Sequence, residues 1–159
     1  VDLPPGTGDI HLSLVQSIPL TGAVIVSTPQ DIALADAKKG VNMFQMESIN
    51  VPVLGIVENM AYFTPLELPN NKYYIFGKEG AKGLAEKLEV DLLAQIPLVQ
   101  SVREAADAGR PAALQESTPI SLELLSMTKK ILESINKRNV NLAPTKAVEL
   151  THSKGCSSK

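Results

Sequence analysis

The stretch AVIVSTPQD at residues 23–31 decides the fold class of this chain. It opens with an apolar, β-branched run without polar alternation, which is typical of a strand covered on both faces, as in a parallel sheet. Thr28 is a candidate N-cap, Pro29 a candidate first helical residue and Asp31 their capping-box partner, so a helix is predicted to follow at once. A strand that leads directly into a helix is the basic unit of a parallel α/β fold.

The same alternation continues along the chain. Two further apolar runs, at residues 53–57 and 92–96, predict two more buried strands. Helical periodicity predicts four helices in all, one after Thr28 and the others at residues 79–88, from Ser101 with Glu104 at the box position to Gly109, and at 118–137. The order predicts a three-layer α/β/α fold with a parallel sheet and right-handed crossovers. We assign residues 1–138 to this domain and residues 139–159 to a polar, disordered tail.

Composition narrows the function classes. The chain has 159 residues, 44% of them hydrophobic and 20% charged, with a formal net charge of −2. This balance indicates a globular domain and gives no support to a nucleic-acid or anionic-membrane surface. No apolar run approaches the roughly 18–20 residues that span a bilayer. One cysteine, Cys156, excludes an internal disulfide framework and is too few for a four-ligand metal site, which favours a reducing, cytoplasmic setting.

The first nine residues, VDLPPGTGD, carry candidate ligand-binding groups. They resemble the end of a buried strand at Val1 running into a loop, so we expect the chain to begin inside a domain; a short flexible leader is the alternative. Asp2 is a hard oxygen ligand able to hold Mg²⁺ directly or through water. Gly6 lets a backbone N–H approach a terminal phosphate. If the four central residues of this stretch are considered alone, an ordinary Pro-Gly turn is the alternative interpretation.

Several motifs, in the same order along residues 1 to about 136, resemble the Mrp/ApbC family of P-loop ATPases, which act as iron–sulfur cluster carriers and assembly factors. Besides residues 1–9 they are TPQ at 28–30, GIVENM at 55–60, IFG at 75–77, IPL at 96–98, VRE at 102–104 and DAGRP at 107–111. The resemblance implies a P-loop NTPase fold of the deviant Walker (SIMIBI) type, incomplete at its amino end.

The resemblance also implies roles for individual residues. Asp2 would hold Mg²⁺ through water and Gly6 would be the switch II glycine that senses the γ-phosphate of Mg-ATP. Asn59 would contact the adenine edge, with Pro97 and Leu98 lining the pocket for the base. For Asn59 the alternative is a turn residue that hydrogen-bonds its own backbone. A homodimer that passes a cluster to apo iron–sulfur client proteins would be the working form.

Two departures from the family pattern limit these expectations. No Gly-x-x-x-x-Gly-Lys-Ser/Thr motif occurs, so this chain alone is not expected to hydrolyse ATP, whereas a parent protein with the phosphate cradle would. Many members carry a Cys-Pro-x-Cys pair after the Glu-Asn-Met segment, but residues 61–71 read AYFTPLELPNN. Oxygen and amide groups replace soft thiolates poorly, which argues against a 4Fe-4S cluster held by the usual ligands.

Other polar and aromatic residues have simpler interpretations. His11 is expected to be structural, and Arg103, Asp107 and Arg110 to form a solvated face rather than surround the base. Residues 62–76 hold five of the six aromatic residues, which either face a partner or pack onto their own domain. Cys156 with His152 gives only two ligands, so an incidental thiol is favoured over a metal site.

Three functions remain open at this stage. The leading hypothesis is an ATP-binding and ATP-hydrolysing protein of iron–sulfur cluster assembly or carriage. A partitioning or septum-positioning ATPase shares the Asp-x-Pro-x-Gly loop, but its membrane-binding forms end in a basic amphipathic helix that residues 139–159 do not show. The third function is a nucleotide-responsive scaffold that binds no cluster, and the absence of the cysteine pair supports it.

Overall fold

Three parallel strands form the centre of the structure, a computed structural model that describes residues 1–65 and 67–147. The strands are β1 (Ala23–Ser27), β2 (Val53–Glu58) and β3 (Leu92–Gln95). The helices are α1 (Asp9–Ser17), α2 (Asp31–Gln45), α3 (Gly80–Lys87), α4 (Gln100–Asp107) and α5 (Pro119–Asn141), with a short 3-10 helix at Ala112–Leu114. All three strands were predicted from their apolar runs, and each lies within one residue of its expected bounds.

The strands lie in the order β1-β2-β3, so β2 is central and both of its neighbours are parallel to it. Gly55 in β2 has a φ of +152°, and a Cβ atom there would lie 2.6 Å from the carbonyl oxygen of Asp91. The close approach of the segment entering β3 therefore requires glycine at this position. Ile56 and Val57 follow it and are almost fully buried, because both faces of β2 are covered.

Helices cover both faces of β2 and β3, which confirms the predicted three-layer α/β/α architecture. In β1, Val26 is 62% exposed, so the prediction that this strand is covered on both faces is wrong there. On one face, α2 and α3 pack on β2 through Val41, Ala81 and Ala85 around Ile56. On the other face, α5 and the 3-10 helix pack on β2 and β3 in a cluster that includes Val57, Leu93, Ala112 and Ile120.

A third apolar cluster lies at the amino ends of the strands. Val15 of α1 packs with Phe44 at the end of α2 and with Ile49 and Val51 before β2. The helix α1 was not predicted, because it has only nine residues and follows a glycine-rich loop. Residues 1–8 form no strand, Val1 is 93% exposed, and no strand in residues 1–65 and 67–147 pairs with that segment, so the predicted strand end at Val1 is wrong for this structure.

Two predicted N-caps are also wrong. Helix α2 begins at Asp31 rather than Pro29, its N-cap position is Gln30, and no side chain caps it. Thr28 instead donates its hydroxyl to Oε1 of Gln30 over 3.1 Å. Helix α4 begins at Gln100, with Val99 at the cap position and no side-chain cap. Local sequence favoured caps that the surrounding packing did not use.

The last helix extends beyond its predicted end. Helix α5 begins as expected, with Thr118 accepting a hydrogen bond from the Ser121 N–H, and it continues to Asn141 rather than ending near residue 137. Beyond it, Thr145 donates its hydroxyl to the carbonyl oxygen of Leu20 over 2.6 Å. The boundary proposed at residue 138 therefore falls inside α5, and most of the predicted disordered tail, residues 148–159, lies outside the described residues. Within the described ranges, no helix combines the length and the hydropathy needed to cross a membrane.

Candidate functional site

The carboxyl ends of the three strands are joined by backbone hydrogen bonds that continue past the strands themselves. The Asn59 N–H donates to the carbonyl oxygen of Ser27 over 2.7 Å, which links the exit of β2 to the exit of β1. The Ile96 N–H donates to the carbonyl oxygen of Glu58 over 2.8 Å, and the Ala61 N–H donates back to that of Ile96 over 2.9 Å. The segments that leave the sheet therefore form one continuous edge, where ligands of open α/β sheets bind.

Asn59 occupies the centre of this edge. Its Oδ1 accepts a hydrogen bond from the Met60 N–H over 3.0 Å, and Met60 has a φ of +54°. This is the local turn contact that the alternative interpretation of Asn59 anticipated. No hydrogen bond within residues 1–65 and 67–147 uses the amide NH₂ of Asn59, so its two donors remain for a ligand.

Pro97 and Leu98 lie next to the segment that follows Asn59. The Leu98 N–H donates to the carbonyl oxygen of Tyr62 over 2.7 Å, and both residues are half-buried. The structure thus brings Asn59, Pro97 and Leu98 together on adjacent segments at one end of the sheet.

Asp2 and Gly6 lie on the surface and apart from this group. Both are exposed, Gly6 has a φ of +95°, and no heavy atom lies within 4 Å of a Cβ built on it. Leu3 packs on the cluster around Val15, which fixes the path of the segment. Within the part of the chain that the structure describes, no hydrogen bond joins residues 2–6 to Asn59, Pro97 or Leu98. The positive φ of Gly6 does leave its backbone open to an approaching ligand.

Glu58 is the important residue of this edge that the sequence analysis missed. Its side chain is fully buried, Oε2 accepts from the Ala81 N–H over 2.6 Å, and Oε1 accepts from Nε2 of Gln95 over 2.8 Å. The carboxyl group lies at the amino end of α3, where the helix dipole favours negative charge. Glu58 therefore fixes α3 and β3 against β2 directly beside Asn59. The sequence did contain a signal for this role, since a glutamate that directly follows the apolar run at residues 53–57 is a candidate for burial.

Pro29, which follows β1, packs against the loop before α3 at the same edge of the sheet. A Cβ on Gly77 would lie 3.2 Å from the carbonyl oxygen of Pro29, and one on Gly80 would overlap it. The glycines at 77 and 80, which do not form a P-loop, instead permit the loop before α3 to pack on Pro29. The close contact keeps Pro29 out of α2, which explains why that helix starts two residues later than predicted.

The aromatic loop, residues 62–76, divides between the two alternatives. Phe63 pairs with both Tyr73 and Leu98 in isolated bridges, so its base belongs to the domain. Tyr73 and Tyr74 are 46% and 38% exposed, so the side of the loop that returns from the Phe63–Tyr73 bridge presents accessible aromatic surface. Lys72 lies 4.0 Å from the centre of the Tyr62 ring, a cation–π contact that stiffens the loop.

The remaining candidates have structural explanations or lie outside the description. Arg103 pairs with Asp107 over 2.9 Å on an exposed face, as expected, and Arg110 is exposed as well. His11 is buried, and its Nδ1 has no partner in the described ranges. No group of three or more His, Cys, Asp or Glu residues able to hold a metal occurs in those ranges. Cys156 and His152 lie among the residues that are not described.

Comparisons with known proteins agree with this fold. A family model for NUBPL iron-transfer P-loop NTPases of the ParA family matches residues 1–135. The iron–sulfur cluster transfer protein NUBPL of Dictyostelium discoideum is 47% identical over 135 residues, which cover 84% of this chain and 41% of that protein. An iron–sulfur cluster carrier protein of Haemophilus influenzae is 51% identical over 132 residues, covering 82% of this chain and 35% of that protein.

A solved structure extends the comparison to three dimensions. A nucleotide-binding protein from Archaeoglobus fulgidus in complex with ADP superposes with a TM-score of 0.62 at 39% identity, over 76% of this chain and 47% of that chain. The chain spans about two fifths of the length of the curated relatives it matches. On the family match and these identities, the chain belongs to the ParA family of NUBPL-type iron-transfer P-loop NTPases, the Mrp/ApbC relatives that its motifs indicated.

Proposed function

We propose that the protein containing this chain binds Mg-ATP at the carboxyl edge of the sheet and hydrolyses it in the assembly or carriage of iron–sulfur clusters. Membership of the iron-transfer family supports the cluster-related role. The ADP complex of the Archaeoglobus fulgidus protein supports a nucleotide as the ligand. Since the chain covers only part of its relatives, the catalytic machinery is assigned to the protein as a whole.

The observation that carries this proposal is the grouping of Asn59, Pro97 and Leu98. The segment of Asn59, whose amide NH₂ has no partner in the described ranges, is hydrogen-bonded to the segment that carries the half-buried Pro97 and Leu98, at the sheet edge where α/β proteins bind nucleotides. Adenine has ring nitrogens that accept hydrogen bonds and faces that pack on apolar groups. In this arrangement Asn59 would donate to the base while Pro97 and Leu98 cover its faces.

Asp2 and Gly6 would supply the phosphate side of the proposed site in the full-length protein, although no hydrogen bond joins them to Asn59, Pro97 or Leu98 in the described ranges. The Asp2 carboxyl group is exposed and forms no ion pair in the described ranges, so it is free to hold a water ligand of Mg²⁺. The open backbone at Gly6 suits a terminal phosphate. We further propose that the protein works as a cytoplasmic homodimer whose arrangement around its cargo changes with the bound nucleotide, and that apo iron–sulfur proteins receive that cargo.

Equilibrium binding of Mg-ATP to the full-length protein tests the site. Asn59→Ala removes the amide donors and is expected to weaken binding about 5- to 10-fold, since one hydrogen bond contributes about 1 kcal/mol. Asn136→Ala is the matched control, because Asn136 is an exposed residue of α5. Unchanged affinity of Asn59→Ala would contradict the assignment of the base pocket, and equal weakening in both variants would indicate a nonspecific effect.

A nucleotide-responsive scaffold without a cluster is the second candidate. One observation favours it: residues 61–71, where many members carry a cysteine pair, contain no cysteine. The exposed Tyr73 and Tyr74 of the aromatic loop give such a scaffold a surface for client proteins. The partitioning or septum-positioning ATPase has no comparable support, because the matching family and relatives are named for iron or cluster transfer.

A further inference from the structure

A second cleft lies at the opposite end of the sheet from the proposed nucleotide edge. It has a volume of about 410 Å³ and lies between the loop that enters β2, residues 47–52, and the end of α5 with residues 142–146. Small-molecule sites usually have volumes of about 300–1,000 Å³. The cleft therefore has room for a small organic molecule.

Arg138 of α5 lines this cleft and is only 8% exposed. One guanidinium nitrogen donates to Oδ1 of Asn139 over 3.1 Å and another to the carbonyl oxygen of Ala143 over 2.6 Å. Its Nε is buried without a partner, and no carboxyl oxygen lies within 4.0 Å of the guanidinium in the described ranges. Among the residues that the structure describes, the acceptors of Arg138 are neutral and no carboxyl group compensates its positive charge.

A buried cation without a counter-charge is costly, because the protein interior solvates it poorly. Guanidinium groups match the paired oxygens of carboxylates and phosphates with two parallel hydrogen bonds. Lys146 adds a second positive charge to the lining and Glu47 a single carboxyl group, and both are exposed at its edge. The charged side chains of the cleft therefore sum to a net positive charge.

The rest of the lining is partly apolar. Ile49, Val51 and Leu142 line the cleft beside Arg138. We propose that this cleft binds a small organic anion, with its carboxylate or phosphate group on Arg138 and its carbon skeleton against these apolar side chains. The site lies apart from Asn59 and Pro97, so it stands or falls independently of the proposed ATP binding.

The test uses the full-length protein labelled with ¹⁵N-arginine and follows the Nε–H resonance of Arg138, assigned by its loss in Arg138→Lys. Inorganic phosphate and succinate are titrated separately at constant ionic strength, with chloride as the balancing anion. Saturable movement of the Arg138 resonance is expected, while those of the exposed Arg103 and Arg110 stay in place. Movement with succinate alone identifies an organic carboxylate, and movement with phosphate identifies a phosphate group.

Variants separate binding at the cleft from general charge effects. Lys146→Gln is expected to raise the Kd obtained from the saturable shift about twofold to fivefold, because an exposed ion pair contributes a free energy in that range. Lys137→Gln is the matched control, since Lys137 is exposed on α5 and does not line the cleft. The proposal is overturned if Arg138 does not respond, if all arginine resonances move together without saturation, or if Lys137→Gln weakens the shift as much as Lys146→Gln. It is also overturned if neither phosphate nor succinate moves the Arg138 resonance while the substitution Glu47→Gln does. In that case the chain's own carboxyl group, rather than an added anion, would be the partner of Arg138.

Discussion

At the scale of single residues, Glu58 connects parts of the chain that are far apart in sequence. It accepts hydrogen bonds from Ala81, 23 residues later, and from Gln95, 37 residues later. A carboxyl group without these partners would be strongly disfavoured in the core. The fully buried glutamate therefore specifies how α3 and β3 meet at the carboxyl edge, and it sets the position of its neighbour Asn59.

We expect Glu58→Ala to lower the free energy of unfolding by about 2–4 kcal/mol, because two donors lose their acceptor and a cavity remains. Glu58→Gln is expected to cost less, since its amide oxygen still accepts from the Ala81 N–H. Equilibrium urea unfolding measures both changes. Glu86→Ala on the exposed face of α3 is the matched control and is expected to stay within about 0.5 kcal/mol of the parent. If Glu58→Ala also lowered the free energy of unfolding by no more than about 0.5 kcal/mol, the role given to its hydrogen bonds would be contradicted.

At the scale of elements, the helices differ in how they begin. Helix α5 has both Pro119 in its first turn and a side-chain cap, since Oγ1 of Thr118 accepts from the Ser121 N–H over 3.2 Å. Helix α2 has neither in use, because Pro29 is buried against the glycines at 77 and 80. The same Thr-Pro sequence thus caps one helix and forms a tertiary contact before the other.

Thr118→Ala is expected to lower the free energy of unfolding by about 1 kcal/mol, the usual effect of removing an N-cap. Thr118→Ser keeps the acceptor and should restore most of that loss. The matched control is Thr128→Ala in the middle of α5, where Thr128 is exposed and alanine has the higher helix propensity, so that change is expected to be neutral or slightly stabilising. Thermal or urea unfolding of the three variants makes the comparison. Equal effects of Thr118→Ala and Thr128→Ala would show that Thr118 contributes nothing as a cap.

At the scale of the whole molecule, the question is whether the protein holds a cluster without the usual thiols in this segment. No cysteine occurs in residues 61–71, and the described ranges contain no group of three metal-ligating residues. Iron–sulfur clusters require soft thiolate ligands. Any cluster on the protein would need cysteines from outside these ranges.

Anaerobic reconstitution of the full-length protein with iron and sulfide tests this point. Cluster carriage predicts a sulfur-to-iron charge-transfer absorption band that stays with the protein after desalting. The scaffold hypothesis predicts no band together with retained Mg-ATP binding. Cys156→Ser provides the matched variant, and a band that survives it would show that Cys156 is not a ligand. A band that disappears would instead contradict our interpretation of Cys156 as incidental.

The sequence by itself determined the three strands, most of α3 and α5, the parallel three-layer fold and the family motifs. These features depend on local patterns, such as the apolar run at residues 23–27 and the Thr118–Pro119 helix start. Residues that are close in sequence determine such patterns. That Asn59 and Pro97 share one site was implied by the family resemblance, and the structure places their segments side by side at the carboxyl edge.

Only the tertiary structure decided the start of α2, the burial of Glu58 and the burial of Arg138 beside neutral acceptors. In each case the deciding group lies far along the chain: Pro29 meets Gly80, Glu58 meets Gln95, and Arg138 faces a cleft walled by residues 47–52. Local propensity contributes about 1 kcal/mol or less per residue. Close packing and the burial of charged groups involve larger free energies, so they override local preference where distant segments meet.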